Sequence, residues 1–265
     1  MRKIFGILVL LLMVYACSRV PITNRKQIKL VADSEMNAMS LTSYNEFLTE
    51  NRSKIIKSGT EVEVVNRIGN RVTRAVEGYL RANGLEKEIQ NFQWEFNVVK
   101  DNTPNAWCMP GGKVVVYTGI MRIAQTEAEL AVVIGHEIAH AVAKHGSERM
   151  SQGLMQEFGG IVLSQALSQK SELTKNMFLT AYGVGSNLLG VLPYSRLHES
   201  EADKLGLVFM AMAGYNPEAA VTFWQKMSQG GQAAPEFLST HPSDETRIKQ
   251  IKEFLPEAMR YYNAR

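Results

Sequence analysis

Between residues 61 and 80, apolar side chains recur every three or four positions, at Val62, Val65, Ile68, Val72, Val76 and Leu80. That period predicts an amphipathic helix, and Asn83-Gly84 supplies its stop signal. The period then changes to two. Phe92, Trp94, Phe96 and Val98 alternate with Gln93, Glu95 and Asn97, which predicts a half-buried strand. Residues 101–104 and Pro110-Gly111-Gly112 read as turns, the second leading into the β-branched run Val114-Val115-Val116. A short sheet is therefore expected ahead of the next helix. That helix opens at Thr126, with Glu129 three residues on completing a capping box. It is expected to run to about Lys144 and to stop near Gly146. Further helices are expected at about 199–213, 217–228 and 244–254. Asn216 supplies the N-cap of the second of these and Pro217 its first position. Residues 230–235 read as a flexible linker. Two segments, at about 150–168 and 174–191, are rich in Ala, Gly, Leu and Ser. Residues 176–192 carry no charge, which fits either a tightly packed helix or a hairpin touching a membrane. Asn187 and Pro193 argue against a clean span.

The N-terminus is a separate object. Arg2 and Lys3 precede an apolar run at residues 4–14 that is too short to cross a bilayer comfortably. This is the pattern of a secretory signal. It ends in Val-Tyr-Ala-Cys, similar to a bacterial lipobox apart from Tyr15, which predicts cleavage before Cys17 and lipidation of that cysteine. The other reading is a plain secretory signal with an incidental cysteine. The expected division is a signal peptide at 1–16, a tether and N-terminal helical segment at 17–58, and the main domain at 59–265. A lipid would anchor the chain to a membrane surface without spanning it.

Composition adds little to the fold but narrows the function. Hydrophobic residues make up 45% of the 265 and charged residues 21%, an ordinary globular balance. The formal charge is +3. Removing Arg2 and Lys3 with the signal leaves 27 basic residues against 26 acidic ones. No large basic surface remains, so nucleic acid is not an expected partner. With Cys17 lipidated, Cys108 has no partner in its own chain and is expected to be a buried, inert thiol.

The chemistry lies in His-Glu-Ile-Ala-His at residues 136–140. Positions i and i+4 of a helix are about 40° apart, so His136 and His140 project from one face and can hold one metal ion. Glu137 lies beside them, placed to take a proton from an attacking water and return it to a leaving amine. Two histidines and a carboxylate among Leu130, Val132, Val133, Ile134 and Ile138 need a reason, because buried polar groups must be satisfied. A catalytic zinc takes three protein ligands, and Glu199 is the expected third. Asp203, one turn later on the same face, is expected to orient a ligating histidine. Glu201 points about 200° away from Glu199. His198 competes as a ligand, against a reading as a surface or capping residue. His145 lies about 140° round the helix from His140 and reads as structural or exposed.

HEIAH, followed 59 residues after its second histidine by an E-x-x-A-D helix, resembles the HtpX / CAAX prenyl endopeptidase family of zinc metallopeptidases (peptidase family M forty-eight, gluzincin type). Asn105-Ala106 with Pro110-Gly111-Gly112 is similar to the family's N-A-x-x-x-P-G-G segment. Ser195-Arg196 precedes the acidic helix as it does there, and Thr240-His241-Pro242-Ser243 with Arg247 resembles its C-terminal element. The start, residues 20–31, looks like the periplasmic lipoprotein branch with its BepA-like, LoiP-like and Oma-type members. The resemblance implies an α+β, mostly α, gluzincin-type core with a small β-sheet beside the HExxH helix, and makes 59–265 a metallopeptidase domain. It implies one Zn2+ per chain on His136, His140 and Glu199, Glu137 as the base, and Asp203 behind the ligands. His241 would be a fourth ligand in a latent state or an oxyanion donor, with Arg247 beside it; a turn residue and a solvated helix charge are the plainer readings of these two. Residues 113–117 would form an exposed edge onto which a peptide adds. Trp107, Cys108 and Met109 depart from the smaller apolar residues usual there. The implied activity is that of a metalloendopeptidase in envelope quality control, acting on unfolded or misassembled proteins. The implied location is the bacterial cell envelope, lipid-anchored and facing the periplasm, at the outer membrane. Its rivals are a zinc-bound chaperone-like assembly factor with a latent or vestigial site, and a structural lipoprotein with a closed zinc.

Overall fold

The structure, a computed structural model, describes residues 17–158, 172–182, 195–229, 237–238, 241 and 245–263. The signal segment at 1–16, the linker at 230–235, and Asn187 and Pro193 of the uncharged stretch lie outside the described residues. Strands β1 (Cys17–Arg19) and β2 (Lys26–Ile28) pair as an antiparallel hairpin. Then follow helix α1 (Asp33–Glu50), β3 (Ile55–Ile56), α2 (Thr60–Ala82), β4 (Glu95–Val99), β5 (Ala106–Met109), β6 (Lys113–Tyr117) and the short α3 (Thr118–Ile123). The remaining described elements are helical: α4 (Glu127–Val142), α5 (His145–Phe158), α6 (Glu172–Ala181), α7 (Arg196–Met212), α8 (Ala219–Gln229) and α9 (Glu245–Asn263). The fold is α+β and mostly helical, with a small sheet beside the HExxH helix α4.

The second sheet has the order β3-β4-β6-β5, with β4 parallel to β6 and the other pairs antiparallel. Side chains alternate across it, as strand geometry requires. Val98, Ala106, Cys108, Val114 and Val116 enter one core with α2, α4 and α7. Val99, Trp107, Met109 and Val115 enter a second core with α1, α5 and α6. The sheet is thus covered on both faces, which is why 114–116 reads as an unbroken valine run. Residues 113–117 are not the edge expected from the sequence. The turn at Gly111 and Gly112, both at positive φ, folds β5 back onto β6, so β6 is paired on both sides and β5 is the terminal strand.

Helix α2 buries Val65, Ile68, Val72, Val76 and Leu80, matching its sequence period. The capping box of α4 is present in both directions, with Thr126 accepting from Glu129 N and the Glu129 side chain accepting from Thr126 N. Its end is earlier than expected. Lys144, at φ 59°, breaks the helix before Gly146, and α5 begins at His145. The lysine is held there by Glu88 at 2.6 Å and Asp33 at 3.1 Å. Helix α8 also starts late, at Ala219, with Asn216 Oδ1 accepting from Glu218 N. Helix α9 outruns its expected end and passes through Pro256.

Helices α4 and α7 touch through Gly135 and Gly206. A methyl group on Gly206 would lie 2.9 Å from His136 N, and one on Gly135 would lie 3.0 Å from the Gly206 carbonyl oxygen. Only glycines permit this backbone approach, and it sets the acidic helix against the histidine helix. Residues 17–58, read from the sequence as tether and helical segment, pack on this body. Val20 is buried in the first core, and Met36, Tyr44 and Phe47 of α1 are buried in the second. No described helix is long and apolar enough to cross a membrane.

Candidate metal centre

One turn of α4 carries His136, Glu137 and His140, all 3% exposed or less. The glycine contact brings α7 beside it, with Glu199 and Asp203 on the facing side. His241, ahead of α9, lays its ring on Phe237 at 4.6 Å. Four side chains thereby converge: His136, His140, Glu199 and His241 each offer one donor atom, all within 4.8 Å of one another. His136 Nε2 lies 3.0 Å from His140 Nε2 and 3.2 Å from His241 Nδ1. Glu199 Oε1 lies 3.1 Å from His241 Nδ1 and 3.3 Å from His140 Nε2.

These separations test the fit of a metal. Four donors around one ion, at bonds of roughly 2.0–2.1 Å, stand about 3.3 Å apart in a tetrahedron. The four edges given above are close to that length, and the remaining pairs of donors lie within 4.8 Å. Nitrogen and carboxylate oxygen are also the donors that zinc takes. Close beside them, Glu137 Oε1 is buried without a hydrogen-bond partner, with His241 Nε2 3.5 Å away. The cluster can therefore hold a metal ion, next to a buried carboxylate oxygen that accepts no hydrogen bond.

A second layer holds the first. Asp203 Oδ1 lies 3.0 Å from His136 Nδ1, so a hydrogen donated there leaves the Nε2 lone pair facing the cluster. Arg247 Nε and a terminal nitrogen each donate to Asp203 at 2.7 Å, and its other terminal nitrogen pairs with Glu199 at 2.8 Å. The guanidinium carbon lies over Trp224, 3.5 Å from the ring centre. His241 and Arg247 are thus buried members of the site rather than a turn residue and a solvated charge.

The charges follow this packing. Burial raises the Glu199 carboxyl, but His241, Arg247 and His136 outweigh it and hold it well below the usual range. Burial opposes a charged His136, yet Glu199 and Asp203 hold that ring at about 9. Burial and the His136 charge push His140 well down. Burial raises Glu137, in the direction a general base at neutral pH needs. A bound divalent cation would become the largest local charge and favour neutral imidazoles on both helix positions.

Three residues that the sequence reading set aside belong to this neighbourhood. His145 is fully buried, with Nδ1 2.8 Å from His140 Nδ1 and Nε2 3.0 Å from Glu201 Oε2. Burial and the neighbouring His198 outweigh Glu201 and hold His145 at about 4. His198 is buried too, stacked on His145 at 4.5 Å and 2.9 Å from Glu148. It is neither a surface residue nor a member of the donor cluster. The missed signal was the helix break, which no glycine or proline marks at 143–144. Cys108 is a buried free thiol whose pKa is raised well above the ordinary value by burial.

Residues 67–255 match the model of Peptidase family M48. The chain belongs to this family. Curated relatives in the same direction include the mitochondrial metalloendopeptidase OMA1 of Schizosaccharomyces pombe, 35% identical over 90% of this chain and 66% of the relative. The human mitochondrial metalloendopeptidase OMA1 is 28% identical over 91% of this chain and 46% of its own length. The beta-barrel assembly-enhancing protease of Yersinia pestis is 26% identical over 72% of this chain and 38% of its own. The chain thus spans between 38% and 66% of the length of these relatives. The family match takes in α4, α7, His241 and Arg247, and so covers the whole donor cluster.

Proposed function

We propose that this chain is a zinc-dependent metalloendopeptidase that hydrolyses peptide bonds in unfolded or misassembled proteins of a bacterial cell envelope. The observation that carries the reading is the four-donor cluster, four of whose edges measure 3.0–3.3 Å, beside Glu137, whose buried Oε1 has no hydrogen-bond partner. In this reading His136, His140 and Glu199 are the ligands of one zinc, Glu137 is the base, and Asp203 and Arg247 orient the ligands. Zinc supplies Lewis-acid polarisation of the scissile carbonyl and lowers the pKa of the attacking water. Glu137 takes that water's proton and passes it to the leaving amine. Terminal strand β5, not β6, is where a peptide would add by backbone pairing. The relatives named as proteases, one of them enhancing beta-barrel assembly, support protein substrates. The lipobox-like ending at Cys17, which opens β1, supports a lipid anchor at an envelope membrane, facing the periplasm.

The second reading, a chaperone-like assembly factor with a latent site, is favoured by one observation. His241 Nδ1 sits among the donors at 3.1–3.2 Å, where it closes a fourth position that a catalytic zinc leaves open. In the enzyme reading His241 would either hold the fourth position at rest or donate to the oxyanion of the transition state. Metal analysis and casein cleavage, with and without chelator, separate these. The wild type is expected to hold one zinc and to cleave; Glu137→Gln is expected to hold zinc and lose at least about 100-fold in rate. Undiminished cleavage by that variant would remove Glu137 as the base, and zinc without cleavage in the wild type would favour the latent site.

A further inference from the structure

The zinc reading leaves one ligand's support unexplained. His136 has Asp203 behind it, whereas the residue behind His140 is another histidine. We propose that His145 and Glu201 are positioning residues for His140, and that the β1–β2 hairpin loop, through Thr23 and Arg25, is a built part of that support. This rests on the proposed function, since it assumes that His140 ligates zinc.

The hydrogen bonds have a forced direction. For His140 to turn its Nε2 lone pair to the cluster, its hydrogen must sit on Nδ1. The atom 2.8 Å from that Nδ1 is Nδ1 of His145, so His145 must accept there. It can accept only with its own hydrogen on Nε2, and Glu201 Oε2 stands 3.0 Å away to receive it. Glu201 is held in turn by the Thr23 hydroxyl and by Arg25 Nε at 2.8 Å. The other Arg25 nitrogens donate to Glu148 at 2.7 and 3.2 Å, and Glu148 faces His198, the ring stacked on His145. The inner steps are buried, with His145 0% exposed and Glu201 8%, while Arg25 is half-buried and Thr23 is exposed at the outer end. A continuous path of partners therefore runs from the loop between β1 and β2 to a zinc ligand more than a hundred residues away.

Partners that fix a ligating imidazole's tautomer and angle typically change metal affinity 10- to 100-fold when removed. The test reads zinc affinity of the full chain by competition with a chromophoric chelator, and site geometry by the visible spectrum of the Co2+-loaded protein. His145→Ala and Glu201→Ala are expected to weaken zinc by about 10–100-fold and to change the cobalt spectrum. His145→Asn, whose amide oxygen can stand in for Nδ1 as acceptor, is expected to recover most of the loss. Arg25→Met is expected to give a smaller loss in the same direction. Wild-type affinity and spectrum in folded His145→Ala overturn the proposal, as does an equal loss in the Asn and Ala variants. Should His145→Ala fail to fold, Glu201→Ala decides, because it removes the acceptor altogether and unchanged zinc affinity there overturns the proposal. A wild-type chain that binds no zinc sinks the metallopeptidase reading itself; a zinc-binding wild type with indifferent variants sinks only the positioning role.

Discussion

His136 and His140 look equivalent in the sequence, one turn apart in the same motif, yet their back nitrogens meet different partners. His136 faces a carboxylate that Arg247 holds with two 2.7 Å contacts; His140 faces the neutral ring of His145. Glu199 and Glu201 divide in the same way. Helical spacing separates them by about 200°, and the structure puts Glu199 among the donors and Glu201 behind them. Glu199→Ala is therefore expected to abolish measurable zinc occupancy, while Glu201→Ala weakens it by about 10–100-fold. Metal content after dialysis checks this, and a greater loss from Glu201→Ala would move the third ligand. His241→Ala tests the fourth position. A rise in casein cleavage is expected if the ring caps the metal at rest, and a fall would assign it to the transition state. That His136 and His140 share one face was legible because i, i+4 spacing needs only a local helix. The depth of His198 and the role of His145 were not, because both depend on which other helix lies across from them.

At the scale of elements, the contact between Gly135 and Gly206 sets the distance between the two helices that carry the donors. Gly206→Ala would press a methyl group to within 2.9 Å of His136 N, and backbone there cannot rotate away. The expected cost is about 1–3 kcal/mol of stability, together with lower zinc occupancy as α7 is pushed off α4. Thermal melting with and without chelator checks both. If occupancy is retained at full stability, the glycine contact does not set the site. Amphipathic helix α2 and the capping box of α4 were readable because their signals are local. The end of α4 was not, because Lys144 takes a left-handed conformation through its contacts with Asp33 and Glu88, and these lie 111 and 56 residues away. The place of β6 was hidden for a similar reason. A valine run declares two buried faces, but strand order depends on where the following and preceding strands pair.

Across the whole molecule, the N-terminal hairpin is joined to the domain by charge. Arg25 pairs with Glu148 at 2.7 Å and with Glu201 at 2.8 Å. Burial pushes the Glu148 carboxyl up, but His198 and Arg25 outweigh that and hold it at about 2, against an ordinary value of 4.5. A carboxyl depressed on folding stabilises the protein above its unfolded pKa, and that stability is lost as pH falls through the folded one. The stability gap between wild type and Arg25→Met is thus expected to be widest above about pH 4.5 and to close toward pH 2. Urea midpoints across that range check it, and a gap independent of pH would mean that the arginine acts by packing alone. The buried HExxH helix, with His136 and His140 on one face, and the mostly helical α+β class followed from the sequence, because helical period, capping and i, i+4 spacing are properties of consecutive residues. What only the tertiary structure decided was the company those residues keep: His241 in the donor cluster and Arg247 beside it, His145 behind His140, β5 at the sheet's end, and Thr23 and Arg25 of the N-terminal hairpin bonded to Glu201. Each of these joins segments far apart in the chain, and such pairings are selected by burial and hydrogen-bond satisfaction over the whole fold rather than by any local pattern.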